Sequence, residues 1–212
     1  MAQIIWIARH GSRYDFVNPD WFITAKLPYD PHLAEDGIKQ AQELGERQKL
    51  ENITHIFSSP FLRTVQTAYE VAKILDLPIK LEAGLGEWLN PNWMDHDPEI
   101  RSHEILAQNY PLIDFNYSSR VIPQYPETEE TVNQRTAETA QKLASEFEGE
   151  LLFVGHGASV LGTAQGLLGE PLNIRASFCC LTKLVQNKGS WEVKLAGDTS
   201  HLSDAETTVR FN

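Results

Sequence analysis

Short apolar runs alternate along the chain with longer segments in which apolar residues recur at helical spacing. The short runs predict strands, which we assign to Ile4–Ala8, Ile53–Phe57, Ile79–Leu81, Glu150–Val154, Phe178–Gln186 and Trp191–Ala196. The longer segments predict helices over 33–50, 60–75, 127–147 and 159–168, with at most one more helix near 99–108. Because strands alternate with helices, we expect an α/β fold, a three-layer sandwich whose mostly parallel central sheet is flanked by helices.

Two features refine this outline. Ser59 is a favoured N-cap residue and Pro60 suits the first helical position, so the following helix is predicted to start there and to carry Arg63 in its first turn. The stretches 14–32 and 90–126 are irregular and rich in proline and aromatic residues. We interpret 90–126 as a loop-rich excursion over the sheet and expect residues 1–212 to form a single domain.

The charge of the chain restricts its partners. There are 18 Lys and Arg residues against 29 Asp and Glu residues, which gives a net charge of −11. This argues against a general nucleic-acid binder, which needs cations against phosphates. No apolar run is long enough to cross a membrane, and the N-terminus lacks the pattern of a secretion signal. We therefore expect a cytoplasmic protein with neither a nucleic-acid nor a membrane partner.

Two further expectations concern the last strands. Cys179 and Cys180 are the only cysteines and adjoin in a predicted strand, so their side chains should point to opposite faces and form no mutual disulfide. That is consistent with a reducing compartment. A homodimer remains possible, since the strand at Phe178–Gln186 could pair across an interface or lie buried.

The candidate chemistry lies where two strands end. The first strand runs into Arg9, His10 and Gly11, and the fourth runs into Gly155, His156 and Gly157. If both strands are central and parallel, both imidazoles lie at the same edge of the sheet, where open α/β sheets bind ligands. Arg63 and Glu87 are expected to reach the same edge.

The same residues form five ordered motifs. They are RHG at 9–11, LAEDGIKQA at 33–41, SSPFLRTVQTA at 58–68, GEW at 86–88 and GHG at 155–157. Together they resemble the histidine phosphatase superfamily, also called phosphoglycerate-mutase-like. The RHGSRYD, EAGLGEW and GHGASVL segments look closest to the branch that contains the Sts tyrosine phosphatases and the steroid-phosphate phosphatases.

The resemblance implies a metal-independent phosphomonoester hydrolase that forms a phosphohistidine and needs no cofactor. His10 is then the nucleophile, because neighbouring cations disfavour its protonated form. Arg9, Arg63 and His156 hold the phosphoryl oxygens, since guanidinium groups match them in two-point fashion. Gly11 is expected to leave the approach to His10 unobstructed. Glu87 is the expected proton donor and later activates water.

Several alternatives remain open at this stage. Glu82 competes with Glu87 for the role of proton donor, and Arg13 either contacts the substrate or pairs structurally with Asp15. A phosphoglycerate-type mutase is the nearest rival function, although Arg101 and Arg120 are the only Lys or Arg residues between 82 and 130. A non-catalytic phosphate-binding protein is the third possibility. The aromatic residues of the irregular stretches favour a small-molecule or aryl phosphomonoester as substrate.

Overall fold

A six-stranded sheet forms the centre of the computed structural model, which describes residues 3–205. The strands, in the order in which they adjoin, are β3 (Ile79–Leu81), β2 (Ile53–Ser58), β4 (Glu150–Gly155), β1 (Ile4–Arg9), β5 (Leu181–Asn187) and β6 (Ser190–Asp198). The first four pair in parallel, whereas β5 and β6 add as an antiparallel hairpin. The expected α/β fold with a mostly parallel sheet is confirmed.

Helices cover both faces of the sheet. The six helices within residues 3–205 are α1 (Trp21–Thr24), α2 (Glu35–Gln48), α3 (Leu62–Leu75), α4 (His103–Asn109), α5 (Glu129–Glu146) and α6 (Gly157–Leu168). Side chains of β1 alternate between the two layers, with Trp6 in the core against α2 and α3 and Ile7 in the core against α5 and α6. This alternation is the period of two that a strand imposes, and burial on both faces explains why β1 is apolar from Ile4 to Ala8.

The start of α3 differs from the prediction. Ser59 is not its N-cap, because the helix begins at Leu62 after Phe61 in extended conformation. The amide of Leu62 instead donates to a carboxylate oxygen of Asp30 at 2.6 Å. An anion supplied by a loop 32 residues upstream therefore satisfies the helix terminus, which leaves the Ser59 side chain available for another contact.

The role expected for Gly11 is also wrong. A Cβ atom at Gly11 would lie 2.5 Å from the carbonyl oxygen of Gly37, in the first turn of α2. Gly11 thus permits close packing of the turn after β1 against α2, which is a requirement of the fold. It does not clear a path to His10.

The last strands agree with the prediction in part. β5 begins only at Leu181, because Cys179 has a φ of 49° and interrupts the extended backbone. Cys179 and Cys180 lie in opposite core layers, as expected, and form no disulfide with each other. β5 lies between β1 and β6, so the strand that suggested dimer pairing is internal. Within residues 3–205, no helix combines the length and the apolar character needed to cross a bilayer.

Candidate active site

The two histidines meet at the carboxyl edge of the sheet. β1 and β4 are adjacent and parallel, with Arg9 in register with Gly155, and the amide of His10 donates to the carbonyl of Gly155 at 3.0 Å. The centroids of the two imidazole rings lie 5.3 Å apart, and the rings meet edge to face. Two residues separated by most of the chain thus occupy one site, because their strands pair.

The environment of His10 fixes one tautomer. Its Nδ1 lies 2.7 Å from the carbonyl oxygen of Gly11, and a carbonyl can only accept, so Nδ1 carries the hydrogen. In the neutral ring, Nε2 then holds a lone pair, and this buried atom has no hydrogen-bond partner within residues 3–205. Burial, followed by the charges of Arg63 and Arg9, holds the pKa of His10 well below its usual value of 6.5. His10 therefore presents a neutral, unbonded nitrogen.

His156 begins the helix that follows β4. It is the N-cap of α6, which starts two residues earlier than predicted, and its amide donates to the Ser159 hydroxyl at 2.6 Å. The Nε2 atom of His156 lies 2.9 Å from the hydroxyl of Ser59. Burial lowers the pKa of His156 to about 4, even though Glu87 acts in the opposite direction. At neutral pH both imidazoles are uncharged.

Arg63 connects the groups of the site. Its Nη2 atom lies 3.2 Å from His156 Nδ1 and 3.1 Å from Glu87 Oε2, and its Nη1 atom donates to the carbonyl of Tyr29. Burial, followed by the charge of Arg13, lowers the pKa of Arg63 to about 10, so the guanidinium remains charged at neutral pH. The second residue of α3 therefore delivers a buried cation to the two histidines.

Arg9 ends β1, and Arg13 lies four residues further along the chain. The Arg9 side chain is buried, donates to the carbonyl of Ala176 at 2.8 Å and lies 4.5 Å above the ring of Phe178. Arg13 forms two hydrogen bonds to the Asp15 carboxylate and acts through its charge on Arg63. Arg13 thus has the structural pairing that was one of the two alternatives, while its charge still contributes to the site.

Glu82 and Glu87 occupy different environments. Glu87 Oε2 lies 3.2 Å from His156 Nδ1, in the site itself. Burial by itself raises the pKa of Glu87, but His156 and Arg63 outweigh burial and hold the pKa below the usual range of a glutamate. Glu82 instead accepts hydrogen bonds from the Tyr117 hydroxyl and from the backbone amide of Arg120. Glu87 is the carboxylate that the structure brings to the histidines.

The cluster has the charge of an anion site. Ligand atoms of His10, Glu87 and His156 lie within 4.8 Å of one another, which is close enough for these three residues to hold a metal ion. The guanidinium of Arg63 lies 3.2 Å or less from two of the three residues, and a second cation acts on His10 from Arg9. Such a density of positive charge opposes a metal cation and favours a phosphate-like anion.

A cavity of about 130 Å³ adjoins this cluster. Its walls include the two arginines Arg13 and Arg63 and the apolar or aromatic side chains of Phe22, Tyr29, Trp93 and Met94. Phe22 and Trp93 are 56% and 39% exposed, so they line the solvent side. Residues of both irregular stretches, 14–32 and 90–126, thus line this one cavity together with Arg63.

Three contributors to the site escaped the sequence analysis. Asp30 is fully buried and joins α3 to Arg101 through a 2.7 Å ion pair. Glu127 and Arg135 form a second buried pair whose bonds end on the segment that carries Glu87. The spacing of Glu127 and Arg135 is eight residues, so no local helix pattern indicates a pair.

Comparison with known proteins agrees with this geometry. Residues 5–199 match the histidine phosphatase superfamily (branch 1). The transcription factor tau 55 kDa subunit of Saccharomyces cerevisiae is 32% identical over 233 residues, which cover 100% of this chain and 52% of that protein. This chain therefore spans about half the length of the yeast relative.

Two further relatives match over nearly their whole length. The probable phosphoglycerate mutase GpmB of Proteus mirabilis is 28% identical over 211 residues, covering 94% of this chain and 95% of the relative. The structure of the ecdysone phosphate phosphatase from Bombix mori, in complex with tungstate, has a TM-score of 0.79 at 22% identity and covers 99% of this chain and 98% of its own. That likeness shows the fold alone. The predicted family is confirmed by the match over residues 5–199: the chain belongs to the histidine phosphatase superfamily.

Proposed function

We propose that this chain hydrolyses phosphomonoesters without a metal ion, through a phosphohistidine formed on His10. The observation that carries the proposal is the bare Nε2 atom of His10, buried among cations with its Nδ1 hydrogen held by a carbonyl. A neutral imidazole with a free lone pair is a competent nucleophile at phosphorus. Most buried polar atoms have a hydrogen-bond partner, so an Nε2 atom that lies among cations and has no partner in the described part of the chain supports a role for His10 as the nucleophile.

In the first half-reaction, His10 Nε2 attacks phosphorus and the bond to the leaving oxygen breaks. Arg9 and Arg63 neutralise the charge that the equatorial oxygens carry in the transition state, and His156 holds one of these oxygens by hydrogen bonding. Nδ1 keeps its hydrogen bond to the Gly11 carbonyl while the ring gains positive charge. The protein contributes position and charge, which are the main requirements of phosphoryl transfer.

Glu87 transfers protons in both half-reactions. Its depressed pKa means that Glu87 is ionised in the free enzyme, so it has no proton of its own to donate at neutral pH. A phosphomonoester monoanion brings that proton into the site, and its phosphoryl charge occupies Arg63 in place of the carboxylate. Glu87 then protonates the leaving oxygen and, in the second half-reaction, removes a proton from the water that attacks phosphohistidine.

The cavity favours a small substrate whose leaving group is aromatic or otherwise apolar. Phe22, Tyr29 and Trp93 supply ring faces around Arg13 and Arg63, whereas a sugar phosphate requires several hydroxyl-binding groups. This arrangement supports an aryl phosphomonoester as the substrate class.

A phosphomutase is the second candidate, because the relative named as a probable phosphoglycerate mutase covers 94% of this chain. A mutase has to hold a second anionic group of its substrate. Arg101 pairs with Asp30 and Arg120 pairs with Glu146, so neither basic residue of 82–130 is directed to such a group. This distribution of charge supports hydrolysis.

A panel of phosphomonoesters on purified protein tests both candidates. We expect turnover of aryl phosphates, unaffected by EDTA and inhibited by vanadate, with activity lost in His10→Ala. Efficient isomerisation of 3-phosphoglycerate with negligible hydrolysis would establish the mutase instead. Absence of all turnover would leave a non-catalytic phosphate-binding role.

A further inference from the structure

The segment that carries Glu87 has little regular structure of its own. After β3 it forms one short 3₁₀ turn at Ala83–Leu85 and then runs in extended form through Gly86. Glu87 nevertheless holds its Oε2 atom within 3.2 Å of both Arg63 and His156. A proton donor must be held within hydrogen-bond reach of its target, so something outside the segment has to fix it.

Arg135, on α5, contacts this segment at three carbonyl oxygens. Nη1 donates to the carbonyls of Gly84 at 2.9 Å and Gly86 at 3.2 Å, and Nη2 donates to the carbonyl of Glu87 at 2.9 Å. The guanidinium is buried, so each of these bonds is shielded from water. The planar fork of an arginine can reach three carbonyls at once, which a lysine ammonium on a flexible stem cannot reproduce.

Glu127 completes the arrangement from the other side. Its carboxylate accepts from Arg135 Nε at 2.5 Å and from Arg135 Nη2 at 2.7 Å, which neutralises the buried guanidinium. The same carboxylate accepts from the amide of Leu89, and the carbonyl of Glu127 accepts from the indole of Trp88. The pair therefore binds residues on both sides of Glu87 and the backbone carbonyl of Glu87 itself.

We infer that Arg135 and Glu127 are positioning residues for the proton donor. The inference rests on the proposed function and deepens it, because it assigns the position of the Glu87 carboxylate to a buried ion pair between Arg135 on α5 and Glu127 just before that helix. All of the contacts cited end on residues 84–89, and none of them touches His10, Arg9 or Arg63. Loss of the pair should therefore impair proton transfer to the leaving group and spare the attack by His10.

Leaving-group dependence separates these two steps. An alkyl phosphate expels a basic alkoxide that needs a proton, whereas 4-nitrophenyl phosphate expels an oxyanion that departs without one. A general acid contributes about 10²–10⁴-fold to a rate that depends on it. For Arg135→Lys, which keeps the charge opposite Glu127, we expect kcat/KM to fall at least about tenfold more for the alkyl phosphate than for 4-nitrophenyl phosphate.

A second variant and a matched control distinguish the inferred positioning role from a general loss of folding. Glu127→Gln keeps the shape of the side chain and removes its charge, and it should give the same split between substrates. Leu143→Ala removes a fully buried side chain about two turns further along α5 that takes no part in these hydrogen bonds. It should lower the melting temperature and change kcat/KM for both substrates by the same factor.

Combination with Glu87→Gln gives the decisive readout. If Arg135 acts through Glu87, Arg135→Lys should add less than about twofold to the alkyl-phosphate defect once Glu87 is already replaced. Equal losses on the two substrates in Arg135→Lys and Glu127→Gln, or fully additive losses with Glu87→Gln, would overturn this inference while leaving the proposed function intact. A Glu87→Gln enzyme with no leaving-group dependence would overturn the proposed function, and the inference with it.

Discussion

Glu82 and Glu87 are five residues apart, both buried, and differ completely in what surrounds them. Glu82 accepts hydrogen bonds from the Tyr117 hydroxyl at 2.5 Å and from the amides of Gly84, Arg120 and Val121. All four donors are neutral groups that stay where they are. Glu87 instead faces a guanidinium and an imidazole, the two groups that the proposed mechanism assigns to the phosphoryl anion.

The difference teaches how to recognise a structural carboxylate. Glu82 joins the end of β3 to the excursion at 117–121, and burial together with Glu82 raises the pKa of Tyr117, so that hydroxyl stays a donor. A buried carboxylate whose hydrogen bonds all come from neutral donors would lose stability if those bonds were broken. Glu87 is held by charges, and a competing charge can replace it. Only the second arrangement suits proton transfer.

Replacement of the two carboxylates should give the largest contrast. In Glu87→Gln, kcat for an alkyl phosphomonoester should fall by about 10²–10⁴-fold, because an amide can neither donate the required proton nor activate water. In Glu82→Gln, kcat should stay within about threefold of the parent value, since the hydrogen bonds of Glu82 described within residues 3–205 end on Tyr117 and on backbone amides and not on His10, Arg63 or His156. Steady-state kinetics at one pH measures both. A Glu82→Gln defect as large as that of Glu87→Gln would reverse the assignment.

The pH dependence follows from the charge states at the site. The pKa of His10 lies well below 6.5, so activity is lost only when the pH falls through that low value and the ring gains a proton. Glu87 is ionised, so the proton arrives with the substrate monoanion, whose second pKa is about 6. We therefore expect kcat/KM for an alkyl phosphate to be maximal on the acid side and to fall by up to about tenfold per pH unit above about pH 6.

The profile is measured as kcat/KM between pH 4 and pH 9, with 4-nitrophenyl phosphate as the control substrate. Its leaving group needs less help from Glu87, so its alkaline decline should be shallower. A rate for the alkyl phosphate that stays constant from pH 6 to pH 8 would contradict the delivery of the proton by the substrate.

Stability should show the opposite contrast to activity. Glu82→Gln should lower the free energy of unfolding by about 1–3 kcal/mol, because buried donors at Tyr117 and at backbone amides lose a charged acceptor. Tyr117→Phe should lower it by about 1 kcal/mol, and the double variant by less than the sum of the two. Urea titration measures these values. Additive losses would mean that the two side chains are not coupled.

Replacement of Ser59 should have the smallest effect on activity. The Ser59 hydroxyl lies 2.9 Å from His156 Nε2. The sequence favoured Ser59 as the N-cap of α3, but the structure does not give it that role. Ser59→Ala should lower kcat/KM by about fivefold, the value of one hydrogen bond of about 1 kcal/mol, because His156 loses the contact that orients its ring. Ser58→Ala is the control and should leave kcat/KM unchanged, because the Ser58 hydroxyl, at the end of β2, donates to the carbonyl of Ser59.

Much of the fold and the pairing of the histidines follow from the sequence. Buried parallel strands are apolar throughout, so β1 and β4 are recognisable, and residues at their carboxyl ends must meet once the strands are adjacent. That reasoning suffices for His10 and His156. It also brings Arg63 to the site, because α3 begins close to the end of β2.

The parts that escaped prediction depend on contacts between distant segments. The amide of Leu62 had a good local cap in Ser59, but Asp30 supplies a charge from another loop. Gly11 is required by the backbone of Gly37, which no local pattern reveals. The choice between Glu82 and Glu87 was open for the same reason, since only the tertiary structure shows that the Tyr117 hydroxyl donates to Glu82.

The most direct test of the account is rapid-quench labelling with a radioactive aryl phosphomonoester. The wild-type protein should form an acid-labile, alkali-stable phosphoenzyme, and Glu87→Gln should accumulate more of it, because an aryl leaving group departs without Glu87 whereas water attack needs it. His10→Ala should form none. Labelling that persists in His10→Ala would contradict the central claim, and so would turnover with no phosphoenzyme in either the wild type or Glu87→Gln.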